Sequence, residues 1–153
     1  MKITKDWLKG FIDGEGCFYV GILKNKSMSE GVQVQLEFTI VQHKKDIKLL
    51  YAIRKYFGCG IVSSNRGKES EVWMYRVRKY ESLGKVIIPF FVKNELLTGK
   101  KFDFNKFREV YMLMEKKEHL TKEGLLKIRK LKEGMNKRIL DKEIVPTLLR
   151  NKE

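Results

Sequence analysis

Between Val32 and Ile40 apolar and polar residues alternate without a break, with Val32, Val34, Leu36, Phe38 and Ile40 set against Gln33, Gln35, Glu37 and Thr39. A period of two predicts a β-strand with one buried face and one polar face. Upstream, residues 4–15 space Trp7, Leu8, Phe11 and Ile12 at helical intervals behind Thr4, a residue type suited to capping a helix start. Residues 17–24 are rich in β-formers and run into a polar turn over 24–31. The helical period returns over 44–57, with Ile47, Leu50, Ile53 or Arg54, and Phe57 in line and Gly58 as a C-terminal stop. A second strand pair, residues 60–64 and 72–78, flanks the polar turn 65–70. Helices are predicted over 80–91, disturbed by Pro89, over 104–114, and over 121–140, the last burying Leu125, Ile128, Leu131 and Met135.

The resulting order, αββαββα with further helices after it, implies an α+β fold: an antiparallel sheet with its helices on one face, since parallel neighbours would need a crossover after every strand. One domain over residues 1–153 is expected from the length. If the apolar even positions of the alternating strand face the helices, Gln33, Gln35, Glu37 and Thr39 line an open polar surface. Tyr19, and Lys24 and Lys26 at the end of the first strand, are expected to share it. In the last strand Trp73, Tyr75 and Val77 are placed on the core side, which puts Arg76 and Arg78 on the open side; Ser63, Asn65 and Arg66 are added from the neighbouring strand and turn.

Charge gives that surface a candidate partner. The chain carries 33 Lys and Arg against 19 Asp and Glu, a net charge of +14, and such an excess attracts a polyanion, nucleic acid being the commonest. Amide and carboxylate side chains suit base edges in a major groove, and Lys and Arg suit the phosphates around them. Other classes are excluded. The apolar run Val86-Ile87-Ile88-Pro89-Phe90-Phe91-Val92 contains a proline and falls far short of the roughly 20 residues of a membrane span, and no membrane association is expected. Met1-Lys2-Ile3-Thr4-Lys5-Asp6 opens no targeting segment, and the chain is expected to start complete. Cys17 and Cys59 form no CxxC, so both read as reduced core residues. His43 and His119 are isolated and read as structural. An intracellular, DNA-containing setting is expected, prokaryotic cytoplasm or organelle.

The first helix carries the chemistry. Gly10 and Gly14 lie four apart inside it, each costing about 0.8–1 kcal/mol relative to alanine, and the reason expected is close approach of another helix where no side chain intervenes. Asp13 and Glu15 sit at its C-terminal end, where free carbonyls already carry partial negative charge. A cation there would reverse the sign of that cost. The stretch Leu8 to Gly16 (LKGFIDGEG) resembles the signature helix of the LAGLIDADG homing endonucleases in its leading Leu, internal Gly, apolar pair, Asp, small residue, acid and final Gly, with Lys9 where that family has a small residue. The element order, the strand end Phe38-Thr39-Ile40-Val41-Gln42, the segment Lys100-Lys101-Phe102-Asp103-Phe104, and Leu120-Thr121-Lys122-Glu123-Gly124-Leu125 leading to Met135-Asn136-Lys137-Arg138 resemble it too, over most of residues 4–140.

That resemblance implies a saddle-shaped sheet and metal-assisted hydrolysis of DNA phosphodiesters at a long, specific site. It implies Glu15 as the metal-binding acid, with the main-chain carbonyl of Gly14 as a further ligand; Mg²⁺ fits such hard oxygen donors. Gln42 matches a position that orders water near the scissile phosphate. Lys100, three residues before Asp103, matches the basic residue that supports nucleophile activation or phosphorane charge, with Lys101 its rival. The chain holds one signature helix, whereas cutting a duplex needs an acid for each strand, so a homodimer packed through Leu8, Gly10, Phe11 and Gly14 is expected, with a near-palindromic target. The alternatives are an RNA maturase with intron RNA as partner, or a cleavage-free DNA-binding regulator on the same scaffold. A basic RNA-binding or ribosome-associated protein would account for the charge but leave LKGFIDGEG without a role.

Overall fold

The alternation over Val32–Ile40 becomes the spine of a four-stranded antiparallel sheet. A computed structural model of the chain describes residues 1–64, 66–67 and 69–137. In it α1 (Lys5–Glu15) passes without a linker into β1 (Gly16–Lys24), which pairs with β2 (Val32–His43). A 3₁₀ turn (Lys44–Asp46) leads into α2 (Ile47–Phe57), followed by β3 (Ile61–Ser64) and β4 (Val72–Val77). The strand order is β1-β2-β4-β3, with every neighbouring pair antiparallel. Thr4 caps α1, its hydroxyl accepting from the Trp7 amide at 3.3 Å. Gly58 closes α2 in the left-handed conformation, at φ 68°.

β2 runs three residues past the end of the alternation. Its first half pairs with β1 alone, Phe38 to Ile40 pair with both β1 and β4, and Val41 to His43 pair with β4 alone. Even-numbered residues of β2 face the helices: Val34, Leu36, Phe38 and Ile40 are buried. Phe18 of β1 meets Phe38 at 5.2 Å and Phe91 at 5.3 Å between ring centres, and Tyr75 of β4 stacks on Phe57 of α2 at 6.2 Å. Each such ring removed from water stabilises the fold by about 1.5–3 kcal/mol.

The helix expected over 80–91 is three pieces: α3 (Tyr80–Ser82), a π turn (Leu83–Ile87) and α4 (Ile88–Lys93). Pro89 falls in the first turn of α4, where its missing N–H removes least. Gly84 lies against the hydroxyl of Tyr111, which leaves no room for a Cβ. Next comes α5 (Lys100–Glu115), four residues ahead of its expected start, and then α6 (Lys122–Glu133), capped by Thr121 through the Gly124 amide at 3.0 Å. The predicted continuation of α6 beyond Gly134 is absent as far as Lys137, and residues 138–140 lie outside the described residues. Among the described residues no helix is long and apolar enough to cross a membrane.

Candidate nuclease corner and nucleic-acid interface

α1 must turn straight into β1 at Gly16. A Cβ there would sit 2.6 Å from Ile12 Cγ2 and 2.8 Å from the Ile12 carbonyl, so only glycine permits the close turn. The turn places Glu15, exposed, level with the far end of β2. Gln42 has the parity of Ile40, so it projects on the side of the sheet that α1 occupies, and its Nε2 donates to Glu15 Oε2 at 3.2 Å. From the first turn of α5, Lys100 Nζ donates to the Gly14 carbonyl at 3.4 Å and also to that of Gly16. Lys101 turns elsewhere and pairs with Glu95 at 2.8 Å. Glu15, Gln42 and Lys100 therefore meet in one corner, though 85 residues of chain separate the first from the last. A lysine in the first turn of a helix opposes that helix's dipole. Here its ammonium lies against the carbonyl end of α1, which meets the need for a cation at that end.

Asp13 has a different fate. Its carboxylate is 9% exposed and accepts from the Leu97 amide (2.8 Å), the Thr98 amide (3.2 Å) and the Thr98 hydroxyl (2.5 Å), fastening the loop before α5 to α1. Burial opposes its ionisation, but the Thr98 hydroxyl, the two amides and the Lys100 charge outweigh that and hold the carboxyl below its usual range. With the folded pKa below the unfolded one, the stabilisation is complete above pH about 4 and is lost as pH falls through the folded value. Asp13→Asn is expected to cost about 1–3 kcal/mol at pH 7 and to flatten the acid limb of the stability curve. Urea denaturation between pH 3 and 7 checks this, and an acid limb as steep as that of the unsubstituted chain would contradict it.

Around this corner α1 presents two faces. Leu8 and Ile12 are 0% exposed in the core of their own chain, so Leu8, expected at an interface between copies, is a core residue instead. Trp7, Gly10, Phe11 and Gly14 follow the i, i+3, i+4, i+7 spacing of the opposite face. Gly10 and Gly14 are exposed there, and a Cβ on either would meet nothing within 4 Å. Among the described residues no helix packs on these glycines. Trp7, 45% exposed and stacked on Phe11 at 4.9 Å, belongs to the same patch; its place four residues before Phe11 is the signal that could have added it.

The free face of the sheet is ordered in cross-strand rows. Gln33 and Gln35 lie at its outer end, followed by Tyr19 beside Glu37, with Arg78 just past β4, and then Cys17, Thr39 and Arg76. Arg78 Nε donates to Glu37 Oε2 at 2.6 Å, while Arg76 Nε is buried and has no partner among the described residues. Thr39, expected in the open polar surface, is 9% exposed because its neighbours in the row cover it. Lys24 has the parity of the core-facing set rather than that of Tyr19 and is exposed at the strand end, with Lys26 exposed in the turn beyond. Ser63 shares the free face with Met74, Arg66 is exposed in the turn, and Asn65 lies outside the described residues. Leu23, Val41 and Ile61 are exposed on the same face, so it is less uniformly polar than expected. Leu23 and Val41 have the parity of Tyr19 and Thr39 within their own strands, a signal that could have revealed them.

The two histidines stay apart from this chemistry: His43 Nδ1 accepts from the Lys45 amide at 3.1 Å, and burial lowers the pKa of His119. Among the described residues no three His, Cys, Asp or Glu side chains gather to hold a metal. The oxygens at the end of α1, the Glu15 carboxylate and the Gly14 carbonyl, are hard donors. They fit Mg²⁺, which is held by one or two protein oxygens and keeps most of its water.

The chain is similar to the probable intron-encoded endonuclease 3 of Neurospora crassa, 39% identical over 83% of this chain and 24% of that protein, so it spans about a quarter of that curated relative. It is also similar to the crystal structure of the homing endonuclease I-TnaI, at 47% identity over 98% of each chain and a TM-score of 0.84. The structure of I-SmaMI bound to uncleaved DNA target in the presence of calcium ions matches at 36% identity and a TM-score of 0.83, over 88% of this chain and 45% of that one. The sequence profile described as LAGLIDADG endonuclease matches residues 8–111, and this chain belongs to the LAGLIDADG endonuclease family.

Proposed function

We propose that the chain is a site-specific DNA endonuclease that acts as a homodimer, depends on Mg²⁺, and cuts both strands of a near-palindromic duplex. The observation that carries this reading is the meeting of Glu15, Gln42 and Lys100 at the end of a helix whose glycine face lies open. Two copies joined through Gly10, Phe11 and Gly14 bring two Glu15 carboxylates to the two-fold axis, one for each strand. That this chain matches 45% of DNA-bound I-SmaMI, which leaves room there for two units of this size, supports the pairing.

In this reading Glu15 and the Gly14 carbonyl hold the divalent ion. When bound, the ion supplies Lewis-acid stabilisation of charge on the phosphoryl oxygens. Gln42 holds the Glu15 carboxylate in place through Oε2, so that it would be positioned as a ligand. Lys100, anchored on the Gly16 carbonyl, places an ammonium beside the phosphate as water adds to phosphorus and an ester P–O bond breaks, the water's proton passing to the leaving alkoxide. The free sheet faces, Gln33, Gln35, Glu37 and Arg78 among their residues, lie against the two half-sites.

Incubation with a randomised duplex library, with Mg²⁺ or with EDTA, followed by sequencing of the ends, tests the proposal. Discrete Mg²⁺-dependent breaks centred on a near-palindrome are expected. Retention of duplex without breaks would replace the enzyme with a DNA-binding regulator. Affinity for the selected site, followed by fluorescence anisotropy, is expected to fall by about 10³-fold or more between 50 and 200 mM salt as neutralised phosphates recover their counterions; a flat dependence would contradict any nucleic-acid role.

A further inference from the structure

Of the two arginines expected on the free face, one is oriented by the chain itself. Arg78 is exposed, and its Nε donates to Glu37 Oε2 at 2.6 Å, the one hydrogen bond its guanidinium makes among the described residues. The Glu37 side chain is only 14% exposed, so the pair is shielded enough to hold its geometry. A planar guanidinium fixed through Nε keeps its two terminal Nη groups as an end-on fork directed away from the carboxylate. Arg76 has no such anchor among the described residues, where its buried Nε finds no partner.

An end-on fork offers two parallel donors and needs two acceptors at matching spacing. In the major groove guanine presents that pair on one base, through N7 and O6, whereas adenine and cytosine expose a donor and thymine a single acceptor. A phosphate also has two acceptor oxygens, but the Glu37 carboxylate offsets the arginine charge and repels a phosphate, while leaving the fork's geometry intact. We propose that Arg78 reads a guanine in each half-site and that Glu37 is its positioning residue. This rests on the reading of the free sheet face as the DNA interface. The row of Glu37 lies five residues along β2 from Gln42, at most about 17 Å, so the guanine falls within about five base-pair steps outward from the cut.

The test is selection of bound duplexes from a randomised library by the full chain in EDTA, repeated with Arg78→Ala, Arg78→Lys and Glu37→Gln, with thermal unfolding of each variant to verify that it is folded. The unsubstituted chain is expected to select guanine at one position in that window of each half-site. Arg78→Ala and Arg78→Lys are expected to lower that preference about ten- to hundredfold, the rest of the selected sequence being unchanged. Glu37→Gln is expected to weaken the preference and steepen the salt dependence by about one phosphate per protomer, because it uncovers the arginine charge. If Arg78→Ala weakens binding to all sequences alike and shifts no base preference, Arg78 is a phosphate contact and the proposal fails while the DNA interface stands. If the unsubstituted chain selects no duplex, the interface reading itself fails, and this inference with it.

Discussion

Glu15→Gln is expected to reduce Mg²⁺-dependent double-strand cleavage by about 10³-fold or more, with affinity for the duplex in EDTA unchanged or slightly raised. The substitution preserves shape, and its carbonyl can still accept from Gln42 Nε2, the contact made by Glu15 Oε2 at 3.2 Å. Glu15 is exposed at the end of α1, so the fold does not depend on its charge. What is lost is the anionic ligand beside the Gly14 carbonyl at the end of α1. Removing a negative charge beside a polyanion does not weaken binding. Time courses of cleavage beside equilibrium binding separate the two effects. Cleavage within tenfold of the unsubstituted protein would remove Glu15 from the chemistry, and loss of both cleavage and binding would point to a folding defect instead.

Gly10 gives the second large effect, with opposite signs for the single chain and the assembly. In the isolated chain a Cβ at Gly10 meets nothing within 4 Å, and alanine inside a helix is favoured over glycine by about 0.8–1 kcal/mol. Gly10→Ala is therefore expected to raise monomer stability by about that much, read by urea denaturation at concentrations where the protein is monomeric. Gly10→Leu, whose Cβ meets none of the described residues, is expected to keep the fold and, under the proposed dimer, to hold the two helices apart, giving a monomer in sedimentation where the unsubstituted chain sediments as a dimer. Double-strand cleavage falls with it, because a monomer carries one Glu15. A dimeric Gly10→Leu protein with full cleavage would move the interface away from α1.

The two predictions differ in how much of their basis can be read along the chain. Gly10 and Gly14 stand out in sequence because glycine inside a helix is costly, and in the structure their side of α1 stands open among the described residues. The alternation in β2 identified which side chains share a face, and the same parity carries Gln42 to the side of α1. Both readings rest on periodicities of the backbone itself, which neighbouring residues express wherever the chain goes. Leu8 was misplaced because a helix has two apolar faces here, and spacing alone does not say which meets the sheet. Thr39 lies on the face its parity gives it, but its 9% exposure was not legible, because Cys17 and Arg76 beside it belong to two other strands. The early start of α5 escaped notice because Lys100 is unfavourable in a first turn until a distant carbonyl end receives it.

By itself the sequence determined most of the local elements, the cap at Thr4, the buried faces of β2 and β4 and the family signature Leu8 to Gly16, all expressed within a few residues of backbone. Only the tertiary structure decided that Asp13 fastens a loop 84 residues away while Glu15, two positions on, stays exposed. It also chose Lys100 over Lys101 for the corner and joined Glu37 to Arg78. Contacts of this kind depend on how packed apolar faces set separate elements against one another, and no local period encodes that distance or direction.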